Sequence, residues 1–293
     1  MSAPKVLVTG VSSPLGLAVC RSLRRYGSHI TGSIRRARAG WSSPNVDELV
    51  FLDLEDPASF GVISGGLDTV IHVASGSEGT AAAYMGSCGL GTSHLLDRAE
   101  RVGIRRIVHV SSMAVYGNVQ SPTVSADTPI RHSTPFGAAK WAAECYLSER
   151  HRSVRATSVR SPAIVGARSH RHFLARALSA MQRSEPMIRV ANPDFRSNNL
   201  VHEDSLAEFL VHLAFRRPDN YSAVPVGCTE PIPLAEVVEM IASRVGYRGR
   251  IEWVSSTTTP FSIDSAAATA LGYAPLTMRA TLERWMEDVA TDA

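Results

Sequence analysis

The chain opens with a short apolar run that leads into a glycine-containing turn and then into a helical pattern. KVLVTG (5–10) predicts a buried strand, and LGLAVCRSLRRYG (15–27) predicts an amphipathic helix. Further strand-like runs follow at 29–34, 48–54, 68–75, 106–112 and 153–166. A helical stretch at 91–103 lies between two of them. This alternation is typical of an α/β fold with a doubly wound, Rossmann-like parallel sheet.

The turn between the first strand and the first helix has the features of a phosphate-binding loop. Gly10 permits the tight turn, and Gly16 allows the helix to pack closely on the sheet. Ser13 replaces the usual middle glycine, and its hydroxyl is a candidate donor to phosphate. The helix N-terminus can then receive a pyrophosphate. The predicted binding residues of this loop are Gly10, Ser12, Ser13, Leu15 and Gly16.

The end of the second strand indicates which dinucleotide is bound. An NAD enzyme carries an acid about 20 residues past the glycines, where it binds the ribose 2′-hydroxyl. Here the chain reads Ile34, Arg35 and Arg36, and two guanidinium groups can clamp a 2′-phosphate. The pattern favours NADPH, with a pair of ordinary surface arginines as the alternative.

Lysine is rare in this chain. It has 28 arginines and two lysines, Lys5 and Lys140. Arginine cannot replace lysine where a compact ammonium with an adjustable pKa is required. Lys140 lies in an apolar helical stretch, so a specific role is expected there.

Composition excludes several classes of function. The formal net charge is only +3 and the basic residues are scattered, so nucleic-acid binding is not indicated. No apolar run is long enough to span a membrane, and the N-terminus lacks the features of a signal peptide. The four cysteines are widely spaced, which predicts reduced thiols in a cytoplasmic protein.

Several motifs resemble those of one enzyme family over nearly the whole chain. They are VTGVSSPLG (8–16), FLDL (51–54), IHVAS (71–75), HVSSMAVYG (109–117), FGAAK (136–140), VRSPAIVG (159–166), NLVHEDSLAEFL (199–210) and DSAAATALGYAP (264–275). Together they resemble the extended branch of the short-chain dehydrogenase/reductase family, which includes sugar-nucleotide epimerases and dihydroflavonol-type reductases. The resemblance implies further cofactor contacts at Asp53, Leu54, Ala74, Ser75, Pro162 and Ile164.

The same resemblance implies a catalytic set with one member missing. The catalytic serine of the family falls on Ser112, and its lysine on Lys140, which would also hold the nicotinamide ribose. The tyrosine that normally donates the proton is replaced by Phe136, which cannot transfer one. The chain is therefore expected to be an oxidoreductase with an atypical proton source.

The sequence leaves that proton source open. Tyr116, Tyr84, His132, an ordered water and the substrate itself are candidates, although a packing role for Tyr116 is the stronger interpretation. A ketone hydrogen-bonded to its own hydroxyl, as in hydroxylated aromatic polyketides, carries its own acid, and this source is favoured. The predicted substrate-site residues are Ser112, Met113, Tyr116, Phe136, Arg171, Phe195 and Phe261.

These observations favour an NADPH-dependent ketoreductase acting on a secondary metabolite, with a hydroxylated aromatic polyketide preferred. The missing tyrosine suggests kinship with the angucyclinone ketoreductases of antibiotic biosynthesis. A non-catalytic NADP-binding sensor is the first alternative, because the loss of the tyrosine would not harm it. A sugar-nucleotide epimerase or dehydratase ranks third, since those enzymes need the tyrosine as base.

The expected organisation is a NADP-binding Rossmann domain and a smaller, mostly helical substrate lobe. The first comprises 1–165 with about 198–226, and the second about 166–197 with 227–293. A small-molecule ketone is the expected partner of a monomer or homodimer, and no metal site is predicted. The pair His170 and His172 has no third ligand nearby, and His202 is interpreted as a structural hydrogen-bonding residue. Trp253 and Trp285 are expected in the core.

Overall fold

A seven-stranded parallel sheet forms the centre of the molecule. The computed structural model describes residues 3–35, 41–76, 79–131, 134–170, 172–216, 220–256 and 259–291. The strands are β1 (Lys5–Thr9), β2 (His29–Ile34), β3 (Glu48–Phe51), β4 (Thr69–His72), β5 (Arg106–Ser112), β6 (Arg155–Ser161) and β7 (Ser222–Pro225). They lie in the order β7-β6-β5-β4-β1-β2-β3, and every neighbouring pair is parallel. The predicted doubly wound α/β fold is confirmed.

Helices connect and cover these strands. They are α1 (Pro14–Arg25), α2 (Ala81–Tyr84), α3 (Gly91–Arg101), α4 (Pro135–Glu149), α5 (Phe173–Gln182), α6 (Glu203–Phe215), α7 (Leu234–Arg244), α8 (Ala266–Ala270) and α9 (Met278–Thr291). A π-helical segment, Met85–Leu90, joins α2 to α3, and 3₁₀ turns occupy Pro57–Val62 and Met113–Tyr116. No helix within the described ranges is both long and apolar enough to cross a membrane.

The two faces of the sheet are covered by different helices. Val6 and Val8 of β1 face α1 and α6, in a core that includes Leu23 and Leu210. Leu7 faces the opposite side, in a core with residues of α3 and α4 such as Leu95 and Leu147. Alternate residues of a strand point to opposite faces, so a central parallel strand must be apolar on both.

A second core lies beyond the sheet. It is built mainly from α5, α7 and α9 around the fully buried Trp285. Three short strand pairs border it: Ala163–Val165 with Leu200–His202, Arg196–Ser197 with Ile232–Pro233, and Met187–Ala191 with Arg250–Val254. A fourth pair, Thr123–Val124 with Ser262–Ile263, belongs to a separate small cluster around Tyr116. The domain boundaries drawn from sequence stay a prediction. Trp285 is core as expected, whereas Trp253 is 36% exposed on its short strand, so its assignment to the core was wrong.

Two glycines allow the close contact between the first turn and the sheet. Gly10 has a φ of +72°, which favours glycine, and a Cβ there would lie 3.0 Å from the backbone of Ala74. A Cβ on Gly16 would overlap the carbonyl oxygen of Gly10 and approach Val11 Cα to 2.8 Å. Helix α1 can therefore start directly against the end of β1.

Gly16→Ala should destabilise the protein by about 1–3 kcal/mol, because the added methyl group has no space between α1 and the turn. Urea unfolding measures the change. Gly61→Ala is the matched control, since a Cβ at Gly61 meets nothing within 4 Å. Equal stability of the two variants would contradict this account of the turn.

Candidate active site

The parallel sheet brings the predicted site residues to one edge. Because all seven strands run the same way, the loops that follow β1, β2, β4 and β5 emerge together. Gly10, Arg35 and Ala74 lie in these loops, and Ser112 is the last residue of β5. Helix α4 runs back across the sheet, so its first turn, with Phe136, starts at the same edge. The structure therefore gathers the predicted cofactor and catalytic residues at the carboxyl ends of the strands, where ligands bind in open α/β sheets.

The Ser13 hydroxyl has a role that differs from the one expected. It donates to Gly10 O at 2.8 Å and accepts from Gly16 N at 3.0 Å, which caps α1. Its proton is used within the loop, so it is not a free donor to phosphate. Among the described residues, the backbone amides of Ser12 and Leu15 have no acceptor. These two amides, at the N-terminus of α1, are the donors available to an anion.

Arg35 is exposed at the end of β2 and has no hydrogen-bond partner among the residues that the structure describes. Arg36 lies outside the described residues. Asp53 is half-buried, and its Oδ1 accepts from Glu55 N at 3.1 Å, while Leu54 is buried beside it. Ala74 is held by its amide, which donates to Thr9 Oγ1 at 3.1 Å, and Ser75 is exposed.

Lys140 lies next to the end of β5. Its Nζ donates to Val110 O at 2.8 Å, and its side chain is almost fully buried. Burial lowers the pKa of Lys140. An ammonium group has three donors, and this is its single described hydrogen bond, so Nζ retains donors for a further ligand. Ser112 follows two residues after Val110, and its Oγ accepts from Ala114 N at 3.1 Å, which leaves the hydroxyl proton available.

Phe136 is half-buried one helical turn before Lys140. Its ring meets the ring of Tyr84 edge-on, with centroids 5.4 Å apart and planes at 65°. Tyr84 is the last residue of α2 and is also half-buried. The position of the family tyrosine therefore holds an aromatic ring without a hydroxyl, and the phenol ring of Tyr84 lies beside it.

The structure argues against Tyr116 as a substrate residue or proton source. Its side chain is 1% exposed, and its hydroxyl donates to Ser125 O at 2.7 Å. The same oxygen accepts from Arg160 Nη1 at 2.8 Å, and burial raises the pKa of the phenol. Tyr116 is a packing residue, which was the stronger interpretation of its sequence motif.

The other predicted substrate residues separate into two places. Met113 and Phe261 pack with Tyr116 in one apolar cluster below the end of β5. Phe195 is half-buried and lies beside the N-terminus of α7, where its carbonyl accepts from Leu234 N at 2.9 Å. Arg171 and His132 lie outside the described residues. Pro162 and Ile164 are half-buried in the segment that follows β6.

The histidines of the lobe have structural roles. His202 Nδ1 accepts from Asp204 N and its Nε2 donates to Asp288 at 2.8 Å, which confirms the structural interpretation. His172 caps α5 by accepting from Ala175 N, and its ring packs against Trp285.

The buried ion pair between Glu144 and Arg160 was not predicted from the sequence. Glu144 Oε2 accepts from Arg160 Nη2 at 2.7 Å, and both residues are at most 5% exposed. Glu144 also accepts from Ser111 Oγ at 2.5 Å, and the Arg160 guanidinium lies 4.8 Å from the centre of the Tyr116 ring. The available signal was a glutamate and an arginine within otherwise apolar buried segments, since such charges are almost always paired.

A row of buried polar side chains was also missed. Thr9, His72, His109 and Ser158 are paired in register across β1, β4, β5 and β6. The hydroxyl of Thr9 lies 2.8 Å from His72 Nδ1, and that of Ser158 3.1 Å from His109 Nδ1. The two imidazoles stack with centroids 5.6 Å apart. The repeated IHV and VHV of neighbouring strands was the signal for this row.

Both imidazoles are held neutral. Burial, with a smaller effect of Lys140, lowers the pKa of His72 to about 3 and lowers that of His109 well below its usual value. His109 Nε2 has no hydrogen-bond partner within the described part of the chain. Lys140 therefore lies near two polar but uncharged imidazoles of the sheet.

Comparison with known proteins identifies the family. The model of the NAD dependent epimerase/dehydratase family matches residues 6–222. The chain belongs to this family. It is 25% identical over 275 residues to an uncharacterised protein of Sinorhizobium fredii, covering 92% of this chain and 67% of the relative. It is 24% identical to a 2-alkyl-3-oxoalkanoate reductase of Stenotrophomonas maltophilia, covering 83% and 76%.

Solved structures of the family share the fold. The UDP-glucuronic acid 4-epimerase of Bacillus cereus, solved in complex with NAD, superposes with a TM-score of 0.81 at 18% identity, covering 98% of this chain and 99% of that one. Curated sugar-nucleotide and uronate enzymes are matched over about half of their own length or less. The chain is therefore an epimerase/dehydratase-family protein of the oxidoreductase and epimerase type, in which Phe136 departs from the motif described above.

Acid should destabilise this family member through its buried histidines. A histidine with a lowered folded pKa contributes stability that is complete above the unfolded pKa of about 6.5 and is lost as the pH falls toward the folded value. We expect a loss of about 1.4 kcal/mol per pH unit and per buried histidine below that pH. Urea unfolding between about pH 7.5 and pH 5 measures it.

His109→Gln should make this pH dependence shallower, because one proton fewer is taken up on unfolding. The exposed His170 supplies the control, and His170→Gln should leave the slope unchanged. An equal slope in His109→Gln and the wild type would contradict a buried neutral imidazole at this position.

Proposed function

We propose that the protein is an NADPH-dependent ketoreductase of a secondary metabolite, with a hydroxylated aromatic polyketide as the favoured substrate class. The observation that carries the proposal is the pairing of a retained lysine with a lost tyrosine. Lys140 is buried beside β5 with unused donors, while Phe136 takes the place of the acid. A site that keeps its cofactor lysine and Ser112 is organised for hydride chemistry with a different proton source.

The residues at the strand ends fit a dinucleotide. The free amides of Ser12 and Leu15 would hold the pyrophosphate, and Lys140 Nζ would bind the nicotinamide ribose. Arg35, exposed and unpaired within the described residues, would hold a 2′-phosphate. When bound, NADPH supplies the hydride. A family neighbour was solved with NAD, so the preference for NADPH rests on Arg35 and on the absence of an acid at the end of β2.

The protein groups then orient and polarise the ketone. The Ser112 hydroxyl has a free proton and would donate to the carbonyl oxygen. Lys140 would favour negative charge that develops on that oxygen. Phe136 would form an apolar wall suited to a flat ring, and the proton would come from the substrate or from another protein group. The reductase among the curated relatives is named for an oxo substrate, which agrees with carbonyl reduction.

The direct test incubates the protein with NADPH and a panel of polycyclic ketones that carry a neighbouring hydroxyl. Oxidation of NADPH with formation of the secondary alcohol is expected. Cofactor binding without turnover across the panel would instead support a non-catalytic NADP sensor. Conversion of a UDP- or dTDP-sugar would support an epimerase or dehydratase, the activities named for several relatives.

The cofactor preference is tested at Arg35. The wild type should bind NADPH at least about tenfold more tightly than NADH, because a charged hydrogen bond to the 2′-phosphate contributes roughly 1.5–3 kcal/mol. Arg35→Glu should remove this preference, as measured by cofactor titration. Arg101→Glu, the same charge change at the exposed C-terminus of α3, should retain it. Equal wild-type affinities for both cofactors would overturn the NADPH proposal.

Restoring the family tyrosine tests the altered proton source. Phe136→Tyr should change kcat by less than about threefold, because the proton already has another donor, whereas a missing acid would cost about 10²–10⁴-fold. Steady-state kinetics with NADPH and an active ketone measure the effect. A large gain in kcat would show that the wild type simply lacks its acid.

A further inference from the structure

We propose that Tyr84 is the proton donor of this enzyme, contacting the carbonyl oxygen from α2 in place of the acid that α4 has lost. The inference rests on the proposed ketoreductase function and goes beyond it, since it assigns the missing acid to one side chain. It excludes a proton supplied by the substrate.

The geometry that carries the proposal is the contact between Tyr84 and Phe136. The two ring centroids are 5.4 Å apart, and the rings meet edge-on at 65°. A phenol ring is therefore in direct contact with the ring that occupies the tyrosine position of the family. Both rings are half-buried, so part of each remains exposed.

The other phenols of the chain are engaged or remote. The hydroxyls of Tyr116, Tyr221, Tyr247 and Tyr273 donate to Ser125 O, Ser158 Oγ, Glu185 O and Gly227 O. Tyr26 and Tyr146 lie near the C-termini of α1 and α4, at the opposite edge of the sheet. Within the described residues, the hydroxyl of Tyr84 has no hydrogen-bond partner, so its proton is available.

The backbone places Tyr84 at the C-terminal end of α2, close in sequence to the loop that follows β4. Helix α2 follows the loop after β4, which carries Ala74 and Ser75, and Thr80 caps it by accepting from Ala83 N. A π-helical segment starts directly after Tyr84, and such segments occur frequently at functional sites. The segment packs against that loop, because a Cβ on Gly76 would overlap Ser87 Oγ.

The proposed step balances with the groups named. The carbonyl carbon gains a hydride, which NADPH supplies as it is oxidised to NADP⁺, and the carbonyl π pair moves to oxygen. The Tyr84 O–H bond breaks, its proton passes to that oxygen, and a secondary alcohol forms. Tyr84 remains as a phenolate, and water returns the proton after the product leaves.

Tyr84→Phe tests the role in turnover. With an active ketone, kcat should fall by about 100-fold or more, and any decline of kcat at high pH that the wild type owes to loss of its acid should disappear. NADPH affinity should stay unchanged, which separates proton donation from cofactor binding. Tyr26→Phe removes a hydroxyl from an exposed ring and is the matched control, expected to retain full activity and pH profile.

A chemical probe gives a readout that does not depend on turnover. Nitration of tyrosines with tetranitromethane, followed by mass spectrometry of the peptide that contains Tyr84, should modify Tyr84 in the free protein. Saturating NADP⁺ with the alcohol product should protect it. Tyr26 should react equally in both states. Unchanged nitration of Tyr84 would overturn its placement in the ligand site.

The kinetic outcomes separate the two proposals. A wild type that reduces ketones and a Tyr84→Phe variant within about threefold of its kcat would overturn Tyr84 as donor and assign the proton to the substrate. The ketoreductase function would then stand. Failure of the wild type to reduce any ketone of the panel would overturn both proposals.

Discussion

The position of every catalytic candidate on α4 depends on the buried ion pair between Glu144 and Arg160. Glu144 lies one turn after Lys140, which lies one turn after Phe136. Anchoring Glu144 therefore fixes the position of α4 along its axis and its rotation about that axis, and with them the positions of Lys140 and Phe136. The partners are buried and have several hydrogen bonds, which offset the cost of removing two charges from water. Removing one partner of such a pair typically costs 3–5 kcal/mol, because the other charge stays buried alone.

The face of the sheet under α3 and α4 changes character along its length. Leu7, Val70, Ile107 and Ala156 form part of an apolar core near the amino ends of the strands. Two residues further along the same strands, Thr9, His72, His109 and Ser158 form the polar row. Because alternate residues of a strand point to the same face of the sheet, this face carries both the apolar core and the polar row next to the site. Lys140 lies at the polar end of this face, through its bond to the carbonyl oxygen of Val110, the residue after His109.

Local patterns predicted the sheet well and the site less completely. The strands predicted at 29–34 and 106–112 have those bounds, because each is a continuous buried run. The roles of Ser13 and Tyr116 depended on hydrogen-bond partners. For Ser13 they lie three residues away and form a helix cap, whereas for Tyr116 one partner, Arg160, is 44 residues distant. Glu144 and Arg160 likewise meet through tertiary structure, because β6 pairs with β5 and α4 packs over these strands.

For Trp253, the sequence predicted burial that the structure does not show. Its short strand pairs with Met187–Ala191 outside the central sheet, and one side of such a pair remains in solvent. An aromatic residue in a β-like run predicts a strand but not two covered faces. Sequence therefore predicted the element type in this region without its burial.

Placing the acid on α2 would connect catalysis to cofactor binding in a way that a tyrosine on α4 would not. Ala74 and Ser75, expected to line the cofactor, lie on the segment that leads from β4 directly into α2 and Tyr84. Thr9 fixes the start of this segment, since its hydroxyl accepts from Ala74 N and contacts His72. The π-helical turn then fixes its end against Gly76. A dinucleotide that contacts Ala74 would thus lie against the segment that leads to the donor, whereas Lys140 and Ser112 are positioned by β5 and the ion pair on α4.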